Sequence, residues 1–302
     1  MVPDKPSAEI DIHEDLVRAL VASQADMIPD AATLPLVHIA DGWDCSIWRL
    51  GSHLAVRLPR RALAAPLILH EQEVLGAIAA RLKASGVGVP APVVQGRPQH
   101  GFPWSWSVVP WFVGSSGLGT PRRARLGWAR PLARALIALH VAAPGDHPHN
   151  PLRGVPLVMR AESVDARIAS LRGRAPAEDL AGARRLWEAA LAAPPWERGP
   201  VWIHGDLHPG NLITQDSDLI AIIDFGDVTA GDPAYDLAVA WLAFDAAGRA
   251  EFQRALSGRF GAADWTRAHG WAAAVSLMLL DQSDDNPDYA ALGAEALGEL
   301  RP

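Results

Sequence analysis

The sequence has little cysteine, no long apolar run and fewer basic than acidic residues. Its one cysteine, Cys45, excludes an internal disulfide framework and a cysteine-based zinc site, and it is typical of a reducing compartment. The longest apolar runs, such as WAAAVSLMLL from Trp271, are too short to span a membrane. The N-terminal MVPDKPSAEIDIHEDL lacks the basic start and apolar centre of a signal peptide. We therefore expect a cytoplasmic protein.

The charge balance excludes one large class of partner. Lys and Arg number 27 against 34 Asp and Glu, so the formal net charge is -7 at pH 7. Proteins that coat nucleic acid need clustered Lys and Arg to neutralise phosphates, so we expect no nucleic acid partner. The 302 residues are 49% hydrophobic, which suffices for one large domain or two lobes with a real core.

The N-terminal third is predicted to be rich in strands. Apolar residues at helical spacing predict a short opening helix from Ile12 to Ser23. The stretch LVHIADGWDCSIWRLGSHLAVRLPRR, from Leu36, alternates apolar and polar side chains in three runs, which predicts an antiparallel meander. A helix is expected from Ala65 to Ala84, and a further strand from Trp104 that stops at Pro110.

Beyond Pro110 the pattern is mainly helical. Two apolar stripes at helical spacing carry this prediction. Strands first and helices afterwards predict an α+β protein of two lobes joined by a hinge. We expect an N-terminal lobe at residues 1–109, a hinge at 110–114 and a helical C-terminal lobe at 115–302. The stripes are Trp128, Leu132, Leu136 and Leu139, and Leu180, Ala183, Leu186 and Leu191.

Two motifs in the C-terminal part carry chemistry. HGDLHPGNLI, from His204, places Asp206 five residues before Asn211, and LIAIIDFG, from Leu219, ends in an Asp-Phe-Gly triplet that begins at Asp224. This is the order of groups that metal-assisted phosphoryl transfer from a nucleotide requires. One carboxylate orients the attacking hydroxyl, while an amide oxygen and a second carboxylate hold magnesium, which prefers hard oxygen ligands.

In these motifs the sequence resembles the aminoglycoside phosphotransferase family, the antibiotic kinases with a bilobal protein-kinase-like fold. The matching pieces occur in the family's order and span residues 37 to 239. The resemblance implies a small β-rich N-terminal lobe and a larger, mainly α-helical C-terminal lobe. The pieces are GWDCSIWRLGSHLAVRLPRR, HEQEVL, VPAPV, HGDLHPGN, IIDFGD and GDPAYDLA.

The resemblance also implies roles for single residues. Asp206 corresponds to the catalytic base, and Asn211 and Asp224 correspond to the ligands of Mg²⁺, with ATP or GTP as the phosphate donor. The family has a lysine in the third strand to anchor the nucleotide phosphates, and here Arg57 takes that place. Arginine can also bind phosphate, although its planar fork has a different geometry.

The rest of the nucleotide site is expected in the N-terminal lobe and the hinge. Glu71 aligns best as the acidic partner of Arg57 and Glu73 aligns second, and only one can pair because residues two apart point to different helix faces. Ser46 and backbone N–H groups of its loop are expected to donate to the phosphates. The base is expected to bond to the backbone of Pro110, Trp111, Phe112 and Val113.

Two absences indicate a small-molecule acceptor. Gly205 stands where kinases switched by phosphorylation usually have an arginine, and only four residues separate Gly226 from GDPAYDLA. That leaves no activation segment on which a protein substrate could dock. We expect a monomer that acts on a small molecule. We expect it neither to bind a membrane nor to have a protein substrate.

The nature of the acceptor is open at the level of sequence. An acidic cluster, of which Asp281 and Asp285 can share a helix face, favours a cationic aminoglycoside. The alternatives are a macrolide, a housekeeping sugar or amino alcohol, and, in another class, a pseudokinase that senses a nucleotide without turnover. A solvated acidic helix end explains the cluster equally well. Its members are Asp281, Asp284, Asp285 and Asp288.

Other polar residues near the motifs are expected to be structural. His204 and His208 lack the further ligands of a zinc site, so His204 is expected to hold the catalytic loop, while the role of His208 is open. Asp232 precedes Pro233 as a helix cap would, and Asp232 and Asp236 are expected to support the site rather than to catalyse.

Overall fold

The computed structural model describes residues 5–24, 26–283 and 286–301. The chain divides into two compact units. We call the first the strand unit, formed by Lys5–Arg81 and Gly88–Val113, and the second the helical unit, formed by Leu82–Val87 and Gly114–Pro302. Among the described residues, no helix combines the length and apolar character needed to cross a membrane.

The strand unit contains one antiparallel sheet of five strands, whose order in the sheet is 1-2-3-5-4 when they are numbered along the chain. The predicted meander is present, and its two turns contain Gly42 and Gly51. The predicted opening helix is two residues shorter at its start, because the His13 side chain caps it by accepting from the N–H of Leu16. The elements are α1 (Glu14–Ala22), β1 (Leu36–Asp41), β2 (Cys45–Leu50), β3 (Leu54–Pro59), α2 (Ala65–Leu82), β4 (Val94–Gly96) and β5 (Trp106–Pro110).

The core of the strand unit lies where α1 packs on the sheet. Val17, Leu20 and Val21 of α1 are fully buried together with Trp48 of β2 and Trp106 of β5. Burial of large apolar side chains is the main stabilising contribution to such a small unit. The sheet thereby has a fixed register, which places Arg57 of β3 opposite Ile47 of β2 and Ser107 of β5.

The helical unit is built from eight α-helices, several short 3-10 helices and five short strands within the described residues. The five strands form two small antiparallel sheets: in chain order, the second strand of this unit pairs with the fifth, and the third lies between the first and the fourth. The elements are β6 (Ser115–Ser116), α3 (Ala129–Leu139), α4 (Ala161–Ser170), α5 (Ala177–Ala192), β7 (Val201–Ile203), β8 (Leu212–Gln215), β9 (Asp218–Ile222), β10 (Thr229–Gly231), α6 (Ala234–Leu237), α7 (Val239–Ala243), α8 (Ala246–Ala255), α9 (Ala262–Asp281) and α10 (Pro287–Glu299).

Helix α9 is the centre of the helical unit, and α4, α5, α6, α7 and α10 all contact it. The predicted stripe from Trp128 to Leu139 is fully buried. The second predicted stripe is wrong at its end: Leu191 is 39% exposed, while Trp187 and Ala190 take the buried positions of α5. Leu191 belongs to the last turn of α5.

The predicted α+β class is confirmed, with strands in the N-terminal part and mainly helices in the C-terminal part. The two chemical motifs lie at the ends of strands in the helical unit. HGDLHPGN connects β7 to β8, and the Asp-Phe-Gly triplet follows β9 directly. Because β8 and β9 pair with each other, both motifs reach the same end of one hairpin. This pairing positions the candidate site.

Candidate active site

The loop between β7 and β8, which we call the catalytic loop (residues 204–211), is shaped by Gly205. This residue has a φ angle of 85°, in the left-handed region that favours glycine. A Cβ atom at this position would lie 2.5 Å from the backbone oxygen of Asp227. The arginine that switched kinases carry here therefore has no room in this chain, and the absence of a side chain is a packing requirement.

Asp236 of α6 fixes the start of the catalytic loop. Its carboxylate accepts hydrogen bonds from the N–H groups of His204 at 2.8 Å and Gly205 at 3.1 Å. The same carboxylate lies 2.9 Å from Nε2 of His140, and the side chain is fully buried. A buried carboxylate needs such partners, because an unpaired one is costly to remove from water. Asp236 supports the loop and does not face solvent.

His204 closes the loop from the other side. Its Nδ1 accepts from the N–H of Asp206 at 3.1 Å, and its Nε2 lies 2.9 Å from the carbonyl oxygen of Ile223. Because a carbonyl only accepts and a backbone N–H only donates, these two contacts require a neutral imidazole with its proton on Nε2. The imidazole thus joins the catalytic loop to the strand end that precedes Asp224.

Asn211 ends the loop and is buried, with 5% of its surface exposed. Its Nδ2 donates to the backbone carbonyl of Asp206 at 2.8 Å. A backbone carbonyl cannot donate, so this bond fixes which end of the amide is nitrogen and turns Oδ1 away from that carbonyl. The backbone oxygen of Asn211 accepts from the N–H of Ile223 at 2.9 Å, so Asn211 and Asp224 lie close together.

Asp224 has an unusual backbone and an exposed side chain. Its φ angle is 61°, in the left-handed region that residues other than glycine adopt uncommonly, and its side chain is exposed. Within the described chain, no three His, Cys, Asp or Glu side chains form a metal site. Magnesium held with nucleotide phosphates takes only one or two protein ligands, so the amide oxygen of Asn211 and the carboxylate of Asp224 fit it.

Asp206 lies between two nitrogen-bearing side chains and is 26% exposed. Its Oδ1 is 3.3 Å from Nη2 of Arg153, and its Oδ2 is 3.4 Å from Nε2 of His208. Burial by itself raises the pKa of Asp206, but His208 and Arg153 outweigh burial and hold the pKa well below its usual range. The carboxylate is therefore ionised at neutral pH and can accept a hydrogen bond from an acceptor hydroxyl.

Arg153 also binds a second carboxylate, that of Asp227. Nε of Arg153 donates to Oδ2 of Asp227 at 3.1 Å, and Nδ2 of Asn150 donates to Oδ1 at 2.7 Å. Burial alone lowers the pKa of Arg153, whereas Tyr235 and the two carboxylates raise it above its usual value. The guanidinium is a permanent charge between Asp206 and Asp227.

Two tyrosines complete the surroundings of Asp206. Tyr235 lies under the Arg153 guanidinium, and Tyr289 of α10 packs edge-on against His208 with ring centroids 5.3 Å apart. Burial raises the pKa of each phenol to about 12, and the Asp206 charge adds to this effect, so both are protonated donors at neutral pH. The sequence reasoning missed Asn150, Arg153 and Tyr289, because their contacts with the motifs are long-range and no spacing marks them. It also gave no role to Tyr235, although this residue lies within GDPAYDLA.

The strand unit contains the predicted partner of Arg57. Its Nη1 forms an ion pair with Oε2 of Glu71, which is 1% exposed, whereas Glu73 on the next face of α2 is exposed. The choice between the two glutamates is thereby decided. Ser46 is also buried, and its hydroxyl oxygen accepts from Nε1 of Trp48 at 3.0 Å. The prediction that Ser46 donates to phosphates requires its hydroxyl to leave this buried position.

The backbone expected to bind the base is only partly available in the strand unit. Pro110 has no N–H, and the N–H of Trp111 donates to the carbonyl of His53 at 2.7 Å. Within the described chain, Phe112 and Val113 donate to no backbone carbonyl. These two residues therefore carry the base-binding hypothesis.

The acidic cluster expected to bind an aminoglycoside is described only in part. Oδ1 of Asp281 accepts from the hydroxyl of Ser170 at 2.7 Å and lies 3.3 Å from Nη1 of Arg174. An ammonium group would have to compete with these partners. Asp285, with Asp284, lies outside the described residues. Asp288 is at the first turn of α10, where its N–H donates to the side chain of Asn286.

Comparison with known proteins gives a family and a fold. A model of the phosphotransferase enzyme family matches residues 36–271. The chain is similar to the GDP and kanamycin complex of APH(2")-IIia, with 17% identity, a TM-score of 0.69, and 95% of this chain and 98% of that chain covered. No curated protein sequence matches it significantly.

The chain is also similar to macrolide enzymes, with higher identities and lower TM-scores. Macrolide 2'-phosphotransferase MphH from Brachybacterium faecium is 22% identical, with a TM-score of 0.61 and with 96% of this chain and 99% of that chain covered. Macrolide 2'-phosphotransferase type I is 20% identical, with a TM-score of 0.58 and coverage of 95% and 99%. Identities this low establish a shared fold and leave the acceptor to be argued from the site.

Proposed function

Because the chain belongs to the phosphotransferase enzyme family, we propose that it transfers the terminal phosphate of ATP or GTP to a hydroxyl of a small-molecule antibiotic. The observation that carries this proposal is the grouping of Asp206, Asn211 and Asp224 at one end of the β8–β9 hairpin. An ionised carboxylate stands beside an amide and a second carboxylate, whose residue has a left-handed backbone. This grouping also disfavours a pseudokinase, which has no use for an intact base.

In the proposed reaction Asp206 accepts a hydrogen bond from the acceptor hydroxyl and orients its oxygen towards the phosphate. Its low pKa suits orientation, since the proton is transferred only late in a phosphoryl transfer with a loose transition state. Magnesium, held by Asn211 and Asp224, would supply neutralisation of phosphate charge when bound. His204 and Asp236 keep the loop backbone fixed, so little reorganisation is needed at the moment of reaction.

We propose that the strand unit binds the nucleotide. Arg57 would contact the phosphates, with Glu71 holding its guanidinium in place. The backbone of Phe112 and Val113 would bond to the base. This proposal is supported by the observed Arg57–Glu71 pair and by the N–H groups of Phe112 and Val113, which do not donate to backbone carbonyls of the described chain. Titration calorimetry with ATP and GTP would decide between the two nucleotides.

Two acceptor classes remain in the proposal. Similarity to a kanamycin-bound enzyme favours an aminoglycoside. A second class, a macrolide, is favoured by apolar side chains on the segment that Asn150 and Arg153 tether to Asp227. Leu152 is 49%, Val158 67% and Met159 70% exposed. Exposed apolar residues on this segment and shortly after it suit the apolar body of a macrolide more than a polycation.

The test is nucleotide consumption with Mg²⁺ against kanamycin, gentamicin and a macrolide, followed by mass spectrometry of the acceptor. We expect a phosphate to be added to one acceptor, and Asp206→Asn to lose about 10²–10⁴-fold in kcat. The matched control is Asp218→Asn, since Asp218 is an exposed aspartate at the turn of the same hairpin. Phosphorylation by Asp206→Asn at the control's rate would refute the base assignment.

A further inference from the structure

One side chain links the catalytic aspartate to a second carboxylate, although it belongs to neither motif. Arg153 is 12% exposed, and its guanidinium lies between Oδ1 of Asp206 at 3.3 Å and Oδ2 of Asp227 at 3.1 Å. Its carbon Cζ is 5.6 Å from the ring centroid of Tyr235. The three contacts constrain the planar fork from its edges and from one face.

The backbone that carries Arg153 is fixed as well. Oδ1 of Asn150 accepts from the N–H groups of Leu152 at 2.9 Å and Arg153 at 3.0 Å, which closes a tight turn. The other end of the Asn150 amide donates to Asp227 at 2.7 Å. Asn150 and Arg153 thus hold both oxygens of the Asp227 carboxylate.

A second fastening lies just before this turn. The hydroxyl of Thr229 in β10 donates to the carbonyl of Pro148 at 2.7 Å, and both groups are buried. The segment from Pro148 to Arg153 is therefore held against the chain that follows Asp224 at two places. A fixed backbone at one end and a fixed carboxylate at the other leave the guanidinium little freedom.

Each oxygen of the Asp206 carboxylate has its own neighbouring side chains. Arg153 lies at Oδ1, while Nδ2 of Asn211 and Nε2 of His208 lie at Oδ2, each at 3.4 Å. An aspartate side chain free to rotate would present either oxygen to the acceptor. Bonds on both edges hold the carboxylate plane in one orientation, and orientation of a reacting group accounts for much of the rate in such transfers.

We propose that Arg153 and Asp227 act together as positioning residues: Asp227 holds the Arg153 guanidinium, and Arg153 holds the Asp206 carboxylate in the orientation that meets the acceptor hydroxyl. The inference rests on the proposed phosphotransferase function. Neither residue touches the reacting atoms in this arrangement, so their loss should reduce kcat and leave nucleotide binding intact. A purely structural role would instead reduce stability without a selective effect on kcat.

The test measures kcat and the nucleotide KM for Arg153→Gln, Asp227→Asn and the double variant. It uses Mg²⁺, the preferred nucleotide, and whichever of kanamycin, gentamicin or the macrolide the wild-type protein phosphorylates. We expect each single variant to lose on the order of 100-fold in kcat with little change in nucleotide KM. Because the two residues act as one device, the double variant should lose about as much as either single one.

The matched control is Arg249→Gln. Arg249 is 19% exposed and pairs with Glu299 at 3.1 Å in the same unit, so its loss removes a comparable ion pair away from Asp206. We expect this variant to keep the wild-type kcat. Additive losses of kcat in the double variant, or wild-type kcat in Arg153→Gln and Asp227→Asn, would overturn the proposal.

If Arg153→Gln does not fold, Arg153→Lys takes its place. Lysine keeps the charge but cannot bind two carboxylates with one planar fork, so we expect about a 10-fold loss in kcat. A folded Arg153→Lys with wild-type kcat would also refute the inference. Absence of turnover in the wild-type protein with every acceptor refutes the proposed function itself, and this result is separate from any difference between variants.

Discussion

At the scale of single residues, the catalytic loop depends on backbone conformations that few side chains tolerate. Gly205 and Asp224, with φ angles of 85° and 61°, flank the place where the two motifs meet. Around them the buried polar groups are paired, as Asp236 and His204 show. The unusual backbone angles and the paired polar groups both make the loop rigid. Single substitutions can test this rigidity.

Replacing Gly205 by alanine should damage both stability and activity. The substitution adds the strain of a left-handed residue, about 1–2 kcal/mol, and places Cβ 2.5 Å from the backbone oxygen of Asp227. That clash adds roughly 1–3 kcal/mol unless the loop moves, and movement would displace Asp206. Urea denaturation and kcat measure the two effects.

The control for Gly205 is Gly258→Ala. Gly258 has a φ angle of 79°, and a Cβ atom there would have no neighbouring atom within 4 Å, so alanine adds strain without a clash. We expect this variant to lose about 1–2 kcal/mol and to keep the wild-type kcat. Equal effects of the two substitutions would show that the contact with Asp227 is unimportant.

His269 gives a pH dependence of stability. Burial, together with the charge of Arg249, lowers the pKa of His269 from 6.5 to about 4, and the ring stacks on Trp241 with centroids 4.3 Å apart. Between these pKa values the unfolded chain binds a proton that the folded chain does not. The contribution of neutral His269 to the free energy of unfolding is therefore complete above pH 6.5 and is lost as the pH falls towards 4.

His269→Phe should keep the stacking and remove this pH dependence. Nε2 of His269 is buried without a hydrogen bond partner in the described chain, so phenylalanine avoids an unsatisfied group. We expect a smaller decrease in the free energy of unfolding between about pH 7 and pH 5 than in the wild-type protein. The comparison is His53→Phe, because His53 is exposed in a turn. An unchanged acid dependence in His269→Phe would contradict the assignment.

At the scale of elements, pairing and burial place the candidate residues. The register of β3 puts Arg57 where Glu71 of α2 can reach it, and the β8–β9 pairing brings the two motifs to one hairpin end. Periodicity predicted α3 well because one apolar face packs fully. It failed at Leu191 of α5, because burial there depends on where neighbouring helices end.

The Arg57–Glu71 pair should matter for the stability of the strand unit. Glu71 is 1% and Arg57 11% exposed, so Glu71→Gln leaves a largely buried guanidinium without this counter-charge. We expect a loss of about 3 kcal/mol in the free energy of unfolding. The exposed Glu73→Gln on the same helix should change it by less than about 0.5 kcal/mol. Urea denaturation of both variants tests this, and similar values for the two would contradict it.

At the scale of the whole molecule, the chain divides into two compact units, and the fold is that of the phosphotransferase enzyme family. The resemblance to antibiotic kinases is confirmed by the family match and by the solved aminoglycoside and macrolide enzymes of the same fold. A ligand that binds only the folded state stabilises it in proportion to the logarithm of its concentration. A rise in the stability of the folded protein therefore measures nucleotide binding even when the acceptor has not been identified.

Magnesium and nucleotide together should raise the melting temperature. At 100 times the dissociation constant, binding stabilises the folded protein by about 2.7 kcal/mol. We expect this shift to require Mg²⁺ and to be largely lost in Asp224→Ala. Asp218→Ala, at the turn of the β8–β9 hairpin, is the control and should keep it. Differential scanning fluorimetry measures the shift, and a full shift in Asp224→Ala would argue against a metal ligand there.

The sequence by itself determined the fold class, and it predicted the three motif residues Asp206, Asn211 and Asp224, which the structure brings to one end of the β8–β9 hairpin. Their spacing follows from local chemistry: a turn joins the first two, and a strand leads to the third. The same locality fixed the meander and the helix α2. These features can be predicted without knowledge of the tertiary fold, because each depends on residues close together in the chain.

Only the tertiary structure decided which distant side chains meet the motifs. It paired Arg57 with Glu71, buried Ser46, and engaged Asp281 with Ser170. It also brought Arg153 against Asp206 across 53 residues of sequence. No sequence pattern marks such contacts. A single arginine in the sequence looks the same whether it lies on a solvated surface or beside a catalytic carboxylate. The difference arises from packing alone.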